Sequence, residues 1–221
     1  MRRKLMTVAV FALVLVAAVP VSADGKGWCL RVFAAGFDPD LDVVVASENP
    51  DEVRVTADSA LGFGASLEYQ FTDLLGLEIG IMNGSPEIAL SADVPGLGFV
   101  SLTDPMATLV ITLDLDLHLS PNSQWFDVYV GGGVASVGYS DLHFVDPEGN
   151  PLNLDVSGDV SFSAKIGLDI HLGENSNWRA TGGLRYVWSD LEFSQVDGPT
   201  GSNATLDFEL FHFTVGVAYG F

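Results

Sequence analysis

Four stretches of this chain alternate apolar with polar or small residues for about ten positions each, and that period of two constrains the fold more than any other feature. Leu61, Phe63, Ala65, Leu67, Tyr69 and Phe71 are interleaved with Gly62, Gly64, Ser66, Glu68 and Gln70. Leu109, Ile111, Leu113, Leu115, Leu117 and Leu119 are interleaved with Val110, Thr112, Asp114, Asp116 and His118. Phe162 to Leu172 and Phe211 to Phe221 repeat the pattern. Successive side chains of a strand point to opposite faces, so each stretch reads as a strand with one continuous greasy face. Roughly ten residues is the length at which a tilted strand crosses a bilayer.

Four further segments, Trp28–Phe37, Gly76–Asn83, Trp125–Tyr139 and Trp178–Leu191, carry the same period less sharply, which makes eight strands. Their connections alternate in length. Thr72–Leu75, Ser120–Gln124 and Gly173–Asn177 are tight and rich in turn formers. Asp38–Ser59, Gly84–Asp104, Ser140–Asp159 and Glu192–Leu206 are long. Short turns on one rim and long loops on the other describe an eight-stranded antiparallel transmembrane β-barrel, the short turns periplasmic and the long loops extracellular. Trp125 and Trp178 follow short turns, and Tyr219 and Phe221 close the last strand, where headgroup-level rings belong. A soluble β-sandwich is the rival, but it would bury one face of each sheet and leave no use for these aromatic ends.

The first 23 residues read as an export signal that is cleaved. Arg2, Arg3 and Lys4 precede an apolar run from Leu5 to Val19, and Val21-Ser22-Ala23 supplies a small-x-small site. Residues 24–221 then form the barrel. Lys26-Gly27-Trp28 before Cys29 is not the small-residue motif that lipid attachment requires. Although 48% of the chain is hydrophobic, no run beyond Ala23 is long and apolar enough to span a membrane as a helix. Of nine Lys and Arg, three lie in the leader, which leaves six against 29 acids. Nucleic acid is therefore excluded as a partner, since neutralising phosphates needs cations. A lone cysteine excludes an internal disulfide framework.

Alternation assigns the lumen, and strand direction assigns height. Near the periplasmic end the inward residues are Arg31, Glu68, Gln70, Glu78, Asp114, Asp116, His118, Asp127, Asp169, His171 and Arg179. Near the outer end they are Phe33, Phe37, Met82, Val110, Val137, Val187, Phe208 and Leu210. Lys165 and Arg185 also point inward. Such a barrel has room for little more than side chains, and an unpaired buried ion is very costly. Arg31, Lys165, Arg179 and Arg185 are thus expected to pair with Glu68, Glu78, Asp114, Asp116 and Asp169 in a polar plug. The apolar upper set reads as a cup open to the outside that takes a small hydrophobic solute. With the plug below, exit would be sideways, where Gly131-Gly-Gly133 or Gly182-Gly183 thins the wall. The same glycines also serve simply to bend strands.

Other signals are weaker. Asp38-Pro-Asp40-Leu-Asp42 suggests a calcium loop, but Val43 replaces the needed glycine and Asn49 the bidentate glutamate, so solvated acidic loops are expected, with loose divalent bridging to lipopolysaccharide left open. A lipid A-modifying enzyme would need Ser, His and an acid together at the outer leaflet. His118 and Ser120 lie at a periplasmic turn, nothing in the sequence fixes His143 near Ser140, and His212 reads as a satisfied lumen residue. No catalytic site, metal or cofactor is expected. A non-transporting structural or adhesive barrel remains the competitor.

Two resemblances add to this reading. The closing strand, Phe211 to Phe221, resembles the C-terminal signal of outer-membrane barrels, which implies that the barrel-assembly machinery reads the strand ending in Phe221. Gly76-Leu-Glu-Ile-Gly-Ile81, Asp104-Pro-Met-Ala-Thr-Leu109, Phe126-Asp-Val-Tyr-Val-Gly-Gly-Gly-Val134, Gly167-Leu-Asp169, Trp178 through Tyr186 and Ala218-Tyr-Gly-Phe221 together resemble the outer-membrane protein W family. That resemblance implies an eight-stranded barrel in the outer membrane of a Gram-negative bacterium, passing small hydrophobic molecules amid outer-membrane lipid and lipopolysaccharide. The processed protein is expected to stay with membranes after an alkaline wash and to enter solution only with surfactant. Free solubility in buffer, measured by ultracentrifugation, would overturn the inward and outward assignment.

Overall fold

The computed structural model describes residues 27–45, 53–94, 98–121, 123–145, 149, 151–173, 176–195 and 203–221. The expected leader, residues 1–23, lies outside the described residues. Among the described residues sixteen strands follow one another. Trp28–Asp40 (β1) passes through Leu41 into Asp42–Val45 (β2), and Val53–Ala57 (β3) returns into Ala60–Gln70 (β4). Leu75–Gly84 (β5) and Glu87–Val94 (β6) rise, then Gly98–Pro105 (β7) and Thr108–His118 (β8) descend. Phe126–Tyr139 (β9), Leu142–Val145 (β10), Pro151–Ser157 (β11) and Val160–His171 (β12) repeat the unit. Trp178–Trp188 (β13), Asp190–Gln195 (β14), Asn203–Asp207 (β15) and Glu209–Gly220 (β16) complete it.

The eight long strands close into a barrel in the order β1-β16-β13-β12-β9-β8-β5-β4. Closure joins the first strand to the last, from Cys29 opposite Gly220 to Asp40 opposite Glu209. All pairs are antiparallel, and because the ring is closed no backbone edge of the described strands faces lipid along the span. Three hydroxyl-capped turns join strands at the periplasmic rim. Thr72 Oγ1 accepts from the Leu75 amide at 2.8 Å, Ser123 Oγ from the Phe126 amide at 3.3 Å, and Ser176 Oγ from the Trp178 amide at 3.1 Å. In the third turn Gly173 adopts φ 135°, a conformation reserved for glycine.

The outward side chains form the greasy face that the sequence period requires. Leu61 is 82% exposed and Phe162 72%, values that water would punish and acyl chains reward. Aromatic pairs mark both interfaces. Trp28 packs on Tyr69 and Trp178 on Tyr219, each at 4.9 Å between ring centroids near the periplasmic rim, and Tyr186 packs on Trp188 at 4.9 Å near the outer one.

The long loops are not loops. Their described residues form four β-hairpins that continue the barrel wall outward and pair into two four-stranded sheets, β2-β3-β6-β7 and β10-β11-β14-β15. The same alternation drives them. Leu41, Val55, Ile88, Leu142, Phe144, Val156 and Leu191 face inward and merge with Phe37, Met82, Val110, Val137, Phe208 and Leu210 into one apolar core. The supposed calcium segment is extended strand instead of a chelating loop. Asp38 accepts from the Ser59 hydroxyl at 2.6 Å, and Asp42 accepts from Arg54 Nε at 2.5 Å. The Arg54 guanidinium holds the Asp42 carboxyl below the usual carboxylate range. Asn49 lies outside the described residues.

Glycines on the inner wall make this interior possible. A Cβ on Gly167 would land on the Tyr129 ring, and one on Gly131 on the Asp116 carboxylate. Adjacent glycines therefore differ sharply in tolerance. On Gly133 a Cβ would overlap the Leu113 carbonyl, whereas on Gly132 it meets nothing nearer than the Ser163 carbonyl at 3.4 Å. Gly133→Ala is expected to destabilise the barrel by about 1–3 kcal/mol, and Gly132→Ala to change stability by less than about 0.5 kcal/mol. Urea unfolding in lipid vesicles measures both.

Candidate functional site: a lumen sorted by depth

The lower lumen is a network of ion pairs built from six strands. Arg31 on β1 reaches Glu68 at 2.8 Å, Glu78 at 2.9 Å and Asp169 at 2.8 Å. Lys165 on β12 meets Glu78 at 2.5 Å and Asp116 at 2.8 Å, and Arg185 on β13 meets Asp114 at 2.7 Å and Glu78 at 3.4 Å. Arg179 stands 3.7 Å from Asp169 and is only partly covered. Below these, His118 lies between Glu68 at 2.6 Å and Asp127 at 2.5 Å. Two acceptor-only carboxylates can both be satisfied by one imidazole only if both of its nitrogens carry protons. The carboxylates of Glu68, Glu78 and Asp116 are near enough to one another to hold a cation. Lys165 and Arg31 already supply the positive charge there, so the cluster is an ion-pair hub.

Tyr129 is the centre of the plug, and sequence reasoning missed it. Arg31 lies 4.8 Å from its ring centroid and Lys165 5.3 Å, so both cations sit over its π face. Gly167 opposite leaves the room the ring needs. A tier of hydroxyls was missed too, formed by Ser66, Thr112, Ser163 and Thr181, all buried, with Thr214 half-buried. The period of two marks these positions as inward, but small polar residues draw no attention in a sequence.

Phe37, Met82, Val110, Val137, Val187, Phe208 and Leu210 point into the upper lumen and are buried, and Phe33 is half-buried. The open cup is corrected on this point. These side chains fill the space themselves, and the inner faces of the two extracellular sheets cover them. His212 is corrected as well. It is fully buried against Phe37, 4.5 Å between ring centroids, yet neither ring nitrogen has a hydrogen-bond partner among the described residues. The suggested serine and histidine pairs are engaged elsewhere. Ser120 Oγ accepts from the Val128 amide at 2.9 Å, Ser140 Oγ from the Ala107 amide at 3.0 Å, and His143 Nδ1 is 2.9 Å from Asn153 Oδ1.

A cavity of about 30 Å³ lies between plug and core, lined by Arg31, Phe33, Glu78, Met82, Tyr129 and Thr214 among others. On the lipid face a groove of about 380 Å³ runs over Val128, Ile166, Leu168, Gly182, Leu184 and Phe213. Ile166, Gly183, Leu184 and Thr214 line both, so one thickness of wall separates them. The wall at Gly131 and Gly133 is different, because Asp116, Lys165 and the Leu113 backbone crowd those glycines from inside or alongside.

Comparison with known proteins now fits this geometry. The profile of the outer membrane protein beta-barrel domain family matches residues 9–221. The chain belongs to that family. The outer membrane of a Gram-negative cell is accordingly its place, and the outer-membrane protein W resemblance sits within that assignment. Among solved structures, this barrel domain superposes on the outer membrane protein OprG of Pseudomonas aeruginosa with a TM-score of 0.69 and 19% identity, covering 89% of this chain and 96% of that one. The outer membrane protein AlkL, solved in lipid bilayers, gives 0.60 and 18% over 92% and 95%. Neisserial surface protein A gives 0.52 and 11% over 88% and 97%. At these identities the likeness is one of fold. No curated protein matches the chain in sequence.

Breaking the plug from one side leaves buried charge without a partner. Arg31→Leu is expected to destabilise the barrel by about 3–5 kcal/mol. Arg54→Leu, on an exposed hairpin, is expected to change little. Unfolding midpoints of the two variants in the same vesicles check the contrast.

Proposed function

We propose that this barrel admits small hydrophobic molecules from the outside and releases them sideways into the bilayer. The observation that carries the reading is the placement of the lipid-facing groove, which backs onto the inner cavity across the side-chain-free wall at Gly182 and Gly183. Three further features support it. The ion-paired plug obstructs straight descent to the periplasm. The upper lumen, with Phe33, Phe37, Met82, Val110, Val137, Val187, Phe208 and Leu210, is apolar and would accept a greasy solute once its cover opens. The groove offers such a solute an apolar landing place at the depth of Ile166, Leu184 and Phe213, which lie side by side in register.

A second reading draws on the filled upper lumen. A barrel whose extracellular sheets are packed as a core would serve as a structural or adhesive element, with lipopolysaccharide or another surface as partner. The two readings differ in what the groove is for. Gly182 tolerates a side chain, since a Cβ there meets nothing nearer than the Thr214 carbonyl at 3.5 Å. Gly182→Leu would fill the groove and is expected to lower uptake of a radiolabelled alkane by intact cells several-fold, while Gly132→Leu leaves it unchanged. Equal uptake with and without the protein would favour the structural barrel.

A further inference from the structure

The lumen has three tiers, and among the described residues its buried atoms without a hydrogen-bond partner are one carboxylate oxygen each of Glu68, Asp116 and Asp127 in the charged tier and the neutral groups of Thr112 and His212 above it. In the charged tier every cation that lines the cavity is already engaged, Arg31 with Glu68, Glu78 and Asp169, Lys165 with Glu78 and Asp116, Arg185 with Asp114 and Glu78. The two neutral groups, Thr112 and His212, stand next to residues that line the cavity. Thr112 Oγ1 is buried without a partner among the described residues, and it lies 2.7 Å from where a Cβ on Gly80 would stand, with Gly80 itself lining the cavity. His212 is the next inward residue beyond Thr214 on β16 and is paired in register with Arg185, both of which line the cavity. Both of its ring nitrogens are unpartnered among the described residues. Buried groups of this kind are rare and costly unless something satisfies them.

We propose that the mid-lumen cavity seats the polar head of a neutral amphiphile, a medium-chain aliphatic alcohol, with its tail in the apolar tier. This rests on the transport reading and names its substrate class. A hydroxyl both donates and accepts, as the Thr112 hydroxyl does, and a neutral imidazole offers one donor and one acceptor. An anionic head finds no unpaired cation here and faces the carboxylates of Glu78 and its neighbours. An ammonium head would have to displace Lys165 or Arg31 from Glu78. A bare alkane leaves Thr112 and His212 as they are. Size agrees with the head alone. About 30 Å³ accommodates roughly two waters, so the tail must run upward past Phe33 and Met82, which line the cavity on its apolar side. Met82 is unbranched and adapts its shape readily.

The test compares uptake of labelled 1-octanol, n-octane and octanoate by cells carrying the full-length protein, with electrophoretic mobility of unheated samples confirming assembly. The wild type is expected to speed octanol most and octanoate not at all. Thr112→Val, which keeps the shape and removes the unpaired hydroxyl, should lower octanol uptake by roughly threefold to tenfold, the equivalent of one hydrogen bond. It should leave octane uptake unchanged and raise the urea midpoint. Thr112→Ser should retain octanol uptake, and His212→Phe, which holds the aromatic contact with Phe37, should reduce it. If octane uptake depends on the protein while octanol uptake ignores both Thr112→Val and His212→Phe, the head site is wrong and transport stands. If neither solute depends on the protein, the transport reading falls and the head site with it.

Discussion

Three cations from three strands converge on the carboxylate of Glu78. Arg31 of β1 and Lys165 of β12 approach within 3 Å, and Arg185 of β13 stands at 3.4 Å. Glu78 itself belongs to β5, across the barrel from β12 and β13 in the strand order. In a barrel of eight strands the walls are near enough for side chains to meet over the axis, and these pairs join walls that no backbone hydrogen bond connects. An interior ion in the membrane has no water to fall back on, so each member of the network is obligatory for the rest. Everything else about the interior is arranged around that hub. Glycines at positions 76, 131 and 167 clear the space for it, and Tyr129 stacks beneath two of its cations.

The upper half differs in chemistry from this ion-paired base. Above the hub the inward positions change to hydroxyls and then to aliphatic and aromatic side chains, and the same apolar layer continues beyond the membrane into the two sheets made by the hairpins. A barrel extended by its own wall behaves differently from one with floppy loops. Its upper lumen is packed with side chains that merge with the inner faces of the two sheets. At Gly183 a single thickness of wall separates the mid-lumen cavity from the groove on the lipid face. The exterior is meanwhile short of positive charge, since four of the six Lys and Arg beyond residue 23 are consumed by the lumen.

Much of this was legible from side-chain order alone. Leu61 to Phe71 and Leu109 to Leu119 displayed their faces plainly because both sides of each strand are chemically uniform, one greasy and one small or charged. The inward placement of Arg31, Glu78, Asp114, Lys165 and Arg185 followed from counting by twos. The hairpins were read as loops because their apolar residues, Val55, Ile88, Leu142 and Phe144 among them, recur over only a few positions between acids and prolines, too briefly to stand out. Tyr129 and Thr112 escaped notice for another reason. A tyrosine in a strand is ordinary, and a threonine is ordinary anywhere, until the opposite wall is known.

Local order determined which face of each strand meets lipid, how many strands cross, and that charge and grease are separated by height. Those properties depend on the two-residue repeat, which is set by the backbone and cannot be altered by distant contacts. Partnership across the axis was decided only by closure. Which carboxylate Arg31 finds, whether the upper lumen is empty or filled, and which glycine thins the wall and which makes room for Asp116 depend on the register of β1 against β16 and on the stagger that follows around the ring. Two residues far apart in the chain meet there because a closed sheet brings them to the same height, and that information is carried by the hydrogen-bonded ring as a whole.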